Sequence, residues 1–163
     1  MEELKKFGAL PSQTIRDMID GGFIKGGDKD NVSPASLDLA ISDEFYRIEE
    51  TFLPRPGEKI TDILKTIKHW KHDPHYPLER NVSYLVKLKE ELALPEGVYA
   101  YCNPKSSTGR IDLHVRVLAD FSSRYDSMWP AGYQGSLWLM LIPNSIPVII
   151  PPGEKLTQAR FFN

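Results

Sequence analysis

Short apolar runs fill most of this chain, at residues 37–48, 84–88, 98–103, 111–118, 136–142, 148–150 and 156–162, separated by stretches rich in Gly, Pro, Asn, Asp and Ser. Runs of that length suit strands, which bury a face with few residues, better than helices, which need ten or more at 3.6-residue spacing. Six or seven short strands predict a mainly β fold, a barrel or a sandwich. Two segments have helical spacing instead. In 11–22, Ser12 is a suitable N-cap, Ile15, Met18 and Ile19 fall at i, i+3 and i+4, and Gly21 and Gly22 suit a left-handed end. In 61–70, with Ile60 just ahead, Ile63, Leu64 and Ile67 repeat in the same way until the Asp73-Pro74 and Tyr76-Pro77 breaks. No helix of crossover length separates the strands, and neither GxGxxG nor GxxxxGK[ST] occurs, so a doubly wound nucleotide-binding domain is excluded.

A chain of 163 residues with 41% hydrophobic residues is long enough to bury a core without cross-links, and residues 1–163 are expected to form a single domain. One cysteine, Cys102, forms no disulfide framework and no zinc site that needs two thiolates. The formal charge of −2 argues against broad binding to nucleic acid or anionic membranes, so an anionic ligand must be caught locally. No charged residue occurs in 127–153, yet Pro130, Pro143, Pro147, Pro151 and Pro152 break it too often for a membrane helix. The N-terminal residues have no apolar signal core, and a cytoplasmic location is expected.

His69, His72 and His75 are spaced three apart. On a helix the first two would share a face fit for a metal, but Pro74 ends the helix and only Asp73 adds a ligand, so a polar helix exit is the ordinary reading. His114, between Leu113 and Val115, reads as a structural strand residue. The segment 103–110, NPKSSTGR, is the most informative. Lys105 and Arg110 with three hydroxyls and Gly109 suit a turn that presents N–H groups, hydroxyls and a forked cation to phosphate oxygens, and equally suit a solvated polar turn. Asp38, in SPASLDL, is a cap or a site carboxylate; Tyr133, in AGYQG, is a core or a site aromatic.

Taken in order, PSQTIRDMIDGGFI, SPASLDLAIS, NPKSSTGRIDLHVRV, AGYQGSLWLMLIPNS and GEKLTQARF resemble the dCTP deaminase and dUTPase superfamily, most closely its dCTP deaminase branch. The form NPKSSTGR followed by an extended loop looks like the first half of the larger, two-module deaminases. The resemblance implies a distorted β-barrel or jelly-roll of the dUTPase-like, β-clip type with two short helices. It also implies a homotrimer with sites at subunit boundaries, with a second module of the same family as a further expected partner. The reaction implied is deamination of dCTP to dUTP without zinc, with Mg²⁺ carried on the triphosphate; the H-x-E and P-C-x-x-C elements of zinc deaminases are both absent. By the same resemblance Ser106 and Arg110 sit by the pyrimidine and the attacking water. Lys105, Ser107 and Gly109 line the phosphate side, Gln158 contacts substrate, and Asp38 assists the Mg²⁺ shell through water. Tyr133 packs on the deoxyribose, and Ala119 and Asp120 belong to the hairpin that reads the base.

Two positions depart from that pattern. The family's general-base glutamate lies five residues beyond the glycine that is Gly135 here, and the position holds Met140. The dUTPase aspartate lies five residues before it, and the position holds Pro130. Asp126, on the long loop 120–130, is the expected substitute base and Asp120 the second. Residues 1–163 also hold no Gly-rich or Lys- and Gln-bearing tail of the kind that closes over the phosphates in relatives. The apolar run YQGSLWLMLIPN keeps open a dUTP pyrophosphatase, and the absent base keeps open a catalytically silent binding or assembly module.

Overall fold

A computed structural model describes residues 7–163; residues 1–6, the start of the stretch in which the sequence has no signal core, lie outside the described residues. The strands are β1 (Ile24–Lys25), β2 (Val32–Ser33), β3 (Ser36–Ile48), β4 (His69–His72), β5 (Ser83–Ala93), β6 (Tyr99–Pro104), β7 (Leu113–Ala119), β8 (Ser127–Met128), β9 (Gln134–Pro143) and β10 (Lys155–Phe162). They form one ten-stranded sheet in the order β7-β9-β5-β3-β10-β6-β8, with β1 added to β5, and β2 and β4 to β3. Every pairing is antiparallel.

The long strand β3 makes this sheet curl. Its first half pairs with β10, with Leu37 opposite Ala159 and Asp38 opposite Gln158. Its second half pairs with β5, from Ile41 opposite Leu88 to Ile48 opposite Ser83. Leu37, Leu39, Val86, Leu139, Val117 and Phe161 meet inside as the main core. The free edge of β7 closes onto β6 through one residue, Asp126. Its N–H donates to the Val117 carbonyl (2.8 Å) and its carbonyl accepts from the Cys102 N–H (2.8 Å). Its carboxylate accepts from the Val117 N–H at 2.8 Å. The result is a distorted, nearly closed β-barrel.

The uncharged stretch of sequence has a local cause. Leu137, Leu139 and Leu141 of β9 face the main core, while Trp138 and Met140 face a second cluster with Leu85, Leu118, Ile60 and Leu64. A strand buried on both faces reads as a continuous apolar run instead of an alternating one.

Helix α1 (Ser12–Asp20) lies where its spacing predicts, with Ile15 and Met18 buried. The second expected helix is shorter: α2 covers only Ile60–Leu64, and His69–His72 form β4 instead. Ile60 and Leu64 satisfy the helical spacing by burial, after which the free edge of β3 recruits the chain, pairing Phe45 with His72 and Ile48 with His69. In a strand, residues three apart point to opposite faces, so the premise for a shared histidine face fails. The three rings have separate partners, the Ile67 carbonyl (3.0 Å), the Tyr76 carbonyl (3.1 Å) and Asp73 (2.8 Å). Residues 148–150 are not a strand and make one isolated bridge, Val148 to Leu78, because the flanking Pro147, Pro151 and Pro152 lack N–H donors. The polar segment after β6, read as a turn, is a third short helix, α3 (Ser106–Arg110).

One carboxylate lies inside the barrel. Glu90 of β5 is 1% exposed, and burial pushes its carboxyl from 4.5 up to about 7 against the opposing pull of the Ala40 N–H. Between those values the unfolded chain releases a proton that the folded barrel keeps, so rising pH favours unfolding. The stability tied to this group is intact below about pH 4.5 and falls by roughly 3 kcal/mol by pH 7. The amide of Glu90→Gln keeps an acceptor for Ala40 and never ionises. In calorimetry the variant should melt several degrees above the wild type at pH 8 and at about the same temperature at pH 5.

Candidate active site

The polar helix α3 hangs from the bulge of a neighbouring strand. Pro104, which lacks an N–H, closes β6, and the Lys105 N–H donates to the Leu156 carbonyl (2.9 Å). The Thr108 hydroxyl donates to the same carbonyl at 2.9 Å and is buried, so the third hydroxyl of the segment faces inward and is withdrawn from any ligand. Ser106, Ser107, Gly109 and Arg110 face solvent, and no atom lies within 4 Å of where a Cβ on Gly109 would stand. The Lys105 ammonium is ion-paired with Asp38 at bonding distance. Asp38 lies opposite Gln158, whose amide oxygen accepts from the Ser36 hydroxyl (3.3 Å). Lys105, Ser106, Ser107, Gly109, Arg110, Asp38 and Gln158 are thus gathered at one pole.

Ala119, Asp120 and Tyr133 lie at the other end of β7. Seven residues of strand, about 20 Å, separate the two groups within one chain. Asp120 is 5% exposed with both oxygens engaged, one by the Ile60 N–H at the start of α2 (2.8 Å) and one by the Ser136 N–H (3.2 Å). Tyr133 is buried, donates its hydroxyl to the Ser136 carbonyl (2.8 Å), and has its phenol pushed up by burial. Its ring explains the glycine that follows: a Cβ at Gly135 would stand 2.7 Å from the Tyr133 oxygen and 3.2 Å from Asp120 Cβ. Two cavities flank this hairpin. One, of about 290 Å³, is lined by Lys25, Lys59, Asp120, Phe121, Gln134 and Ser136. The other, of about 190 Å³, is lined by Asp120, Phe121, Trp129, Pro130, Tyr133 and Gln134.

Asp126 is bound at every polar atom, its second carboxylate oxygen accepting from Arg116 at 3.1 Å. Burial raises its carboxyl, opposed by the Val117 N–H and by Arg116. It holds the barrel edge and does not extend on a free loop. Met140 is 4% exposed beneath α2, packed with Trp138, Leu85 and Leu118, and Pro130 follows a cis peptide at the surface. No carboxylate stands at either position. Among the described residues no group of three or more His, Cys, Asp or Glu is placed to hold a metal ion, and burial pushes the Cys102 thiol well up, away from the thiolate a metal needs. No helix among the described residues is long and apolar enough to cross a membrane.

Sequence reasoning missed three parts of this arrangement: the Leu156 carbonyl that carries α3, the buried Glu90, and the inward Thr108. The first two have no motif, since one is a backbone atom at a bulge and the other a glutamate among ordinary strand residues. The third has none either, because Thr108 turns inward to a carbonyl 48 residues away.

The family model described as 2'-deoxycytidine 5'-triphosphate deaminase (DCD) N-terminal domain matches residues 6–163, which is nearly the whole chain. The chain belongs to that family. A solved 2'-deoxycytidine 5'-triphosphate deaminase from Agrobacterium tumefaciens has the same fold, with a TM-score of 0.91 and 38% identity over 97% of this chain. The match covers 47% of that protein, so this chain spans about half its length. A dCTP deaminase, dUMP-forming, from Sulfurihydrogenibium sp. is 26% identical over 93% of this chain and 82% of its own length. A dCTP deaminase from Natronomonas pharaonis is 25% identical over 93% and 78%. In this dCTP deaminase-family chain the exposed hydroxyls and cations of α3 gather at one pole, and Met140 lies in a packed interior.

Proposed function

We propose that this chain is a nucleotide-binding module for a pyrimidine deoxynucleoside triphosphate and acts, in the cytoplasm, in the deamination of dCTP to dUTP. The observation that carries this reading is α3, whose exposed Ser106, Ser107, Gly109 and Arg110 border open space beside the Lys105–Asp38 pair. Lys105, Ser107 and Gly109 serve the phosphates, and Mg²⁺ arrives bound to them as part of the substrate, with Asp38 touching its shell through water. Ala119, Asp120 and Tyr133 form the base-reading side, and Gln158 steadies the seat. Because the two sides lie about 20 Å apart in one chain, the complete site forms between copies, and a homotrimer supplies that geometry. A second module of the same family is an equivalent partner.

In the reaction a water loses a proton to a base, its oxygen bonds to C4 of cytosine while N3 takes up a proton, and the exocyclic C4–N4 bond breaks as that nitrogen receives the second water proton and leaves as ammonia, with the C4 carbonyl of uracil left behind. Arg110 and Ser106 stabilise the charge that builds in the tetrahedral state. The base is what this chain supplies poorly, since Asp120 and Asp126 already accept backbone N–H bonds. Absence of a general base lowers rates by about 10² to 10⁴, so turnover by this chain alone is slow. The burial of Met140 favours a second reading, a silent binding module. Incubating the protein with dCTP and with dUTP, each with Mg²⁺, and separating products tests both. Ammonia with dUTP supports deamination, pyrophosphate from dUTP indicates a pyrophosphatase, and bound but unchanged nucleotide indicates the silent module.

Arg110→Ala should weaken triphosphate binding by one to two orders of magnitude, the effect of losing a charge-assisted bond worth roughly 1.5–3 kcal/mol. The Arg110 side chain is exposed and makes no hydrogen bond or ion pair among the described residues, so the melting temperature should stay within a degree or two. Unchanged affinity with a large fall in melting temperature would make the helix purely structural.

A further inference from the structure

Glu90 follows Leu88 and precedes Leu92 on the inward face of β5, where an apolar side chain would ordinarily sit. Both its oxygens face one donor, the Ala40 N–H, at 3.1 and 3.2 Å. Ala40 stands at the corner where β3 leaves β5 for β10. Ile41 is still opposite Leu88, but Ala40 is opposite Lys155. At the same corner the register of β10 slips between Lys155 and Thr157, leaving Leu156 as the extra residue. That bulged Leu156 carbonyl holds α3 through the Lys105 N–H and the Thr108 hydroxyl. Two residues before Ala40 is Asp38, which holds the Lys105 ammonium. Both attachments of α3 therefore flank the one backbone N–H that Glu90 grips.

We propose that Glu90 is a positioning residue: by gripping Ala40 it fixes the strand corner from which the Leu156 carbonyl and the Asp38 carboxylate carry the phosphate-facing helix α3. Its effect on nucleotide affinity rests on the function proposed above; its effect on α3 does not. The charged and titratable groups around it are Lys89 on its own strand, which favours the ionised form, Asp28 ahead of β2, which opposes it, and the protonated Cys102 thiol on β6. Burial outweighs Lys89 and keeps the carboxyl protonated up to about pH 7. Above that, the carboxylate accepts the Ala40 N–H more strongly, but its buried charge must be hydrated, and the water it draws in opens the corner around that bond.

The wild type, Glu90→Gln and Glu90→Leu are titrated with dCTP and Mg²⁺ by calorimetry from pH 6 to 8.5, and amide exchange of 104–112 is followed over the same range, corrected for intrinsic rates. Titration of dCTP itself is common to all three proteins. The wild type should bind about fivefold more weakly at pH 8.5 than Glu90→Gln while matching it within about twofold at pH 6. Glu90→Leu should bind at least about tenfold more weakly at pH 6, with exchange at the Lys105 amide about tenfold faster. A folded Glu90→Leu with wild-type exchange at Lys105, or a wild type and Glu90→Gln with the same pH profile, overturns the proposal. If the wild type binds no nucleotide, the proposed function falls and the exchange arm decides this inference alone. If Glu90→Leu does not fold, the exchange profiles of the wild type and Glu90→Gln decide it.

Discussion

Met140→Glu will destabilise the protein by about 2–4 kcal/mol. Met140 is 4% exposed among Trp138, Leu85, Leu118 and Ile60, and the donors a carboxylate would meet are the Trp138 indole N–H, which is buried without a partner, and Arg116, which lies opposite Met140 in the β7–β9 register and is already paired with Asp126. The loss combines the apolar burial of the methionine with the desolvation of an acid. Burial raises the introduced acid's pKa and Arg116 opposes that rise, so the deficit should widen only modestly as pH rises from 5 to 8. Denaturant unfolding at both pH values measures this. A variant as stable as the wild type, and faster on dCTP, would mean that α2 lifts from β9 and that a carboxylate at position 140 can serve as a base.

The second large effect is at Asp126. Asp126→Ala removes the acceptor of the Val117 N–H on a fully buried residue, frees Arg116, and places alanine at a φ of +58°. An unsatisfied N–H costs about 1–3 kcal/mol and the left-handed conformation about 1–2, so the total is near 3–4 kcal/mol. Asp126→Asn keeps an acceptor and tolerates that backbone, and should lose about 1 kcal/mol or less. It also sheds a carboxylate that burial disfavours when charged, so its stability should gain on the wild type as pH rises. This pair separates the two roles of the residue. If Asp126 is the missing base, Asp126→Asn abolishes turnover with little change in melting; if it is only the clasp, turnover survives in Asp126→Asn and stability is lost in Asp126→Ala.

Strand positions were readable because their signals are local: the alternation within 37–48, the unbroken apolar run of 136–142, and the turn residues that bound both. The end of α2 was not, because nothing local distinguishes Ile67 as the last turn of a helix from Ile67 as the approach to β4. The free edge of β3 decides it, and that edge exists only in the folded sheet. The same holds for the site. NPKSSTGR displayed its hydroxyls and cations in the sequence, but which hydroxyl turns inward depends on the Leu156 carbonyl, 48 residues from Thr108. Asp126 looked like a mobile loop carboxylate because its partners, Val117 and Cys102, belong to two different strands. That a methionine stands where the resemblance expects a glutamate was visible directly, at Met140. What the sequence did not carry was that α2 seals the face on which it lies.

The proposed function requires a nucleotide site shared between copies, with α3 from one and the hairpin from another. Mixing two defective proteins tests this most directly. Arg110→Ala disables the helix, and Gln134→Trp, at an exposed residue lining both cavities, blocks the hairpin. Each alone should bind dCTP with Mg²⁺ at least about tenfold more weakly than the wild type. After co-refolding, a fraction of sites unites two intact sides, and wild-type affinity should reappear in calorimetry with reduced stoichiometry. A co-refolded mixture that forms oligomers of the wild-type size but recovers no tight sites would contradict the shared site, as would a wild-type protein that binds dCTP tightly as a monomer.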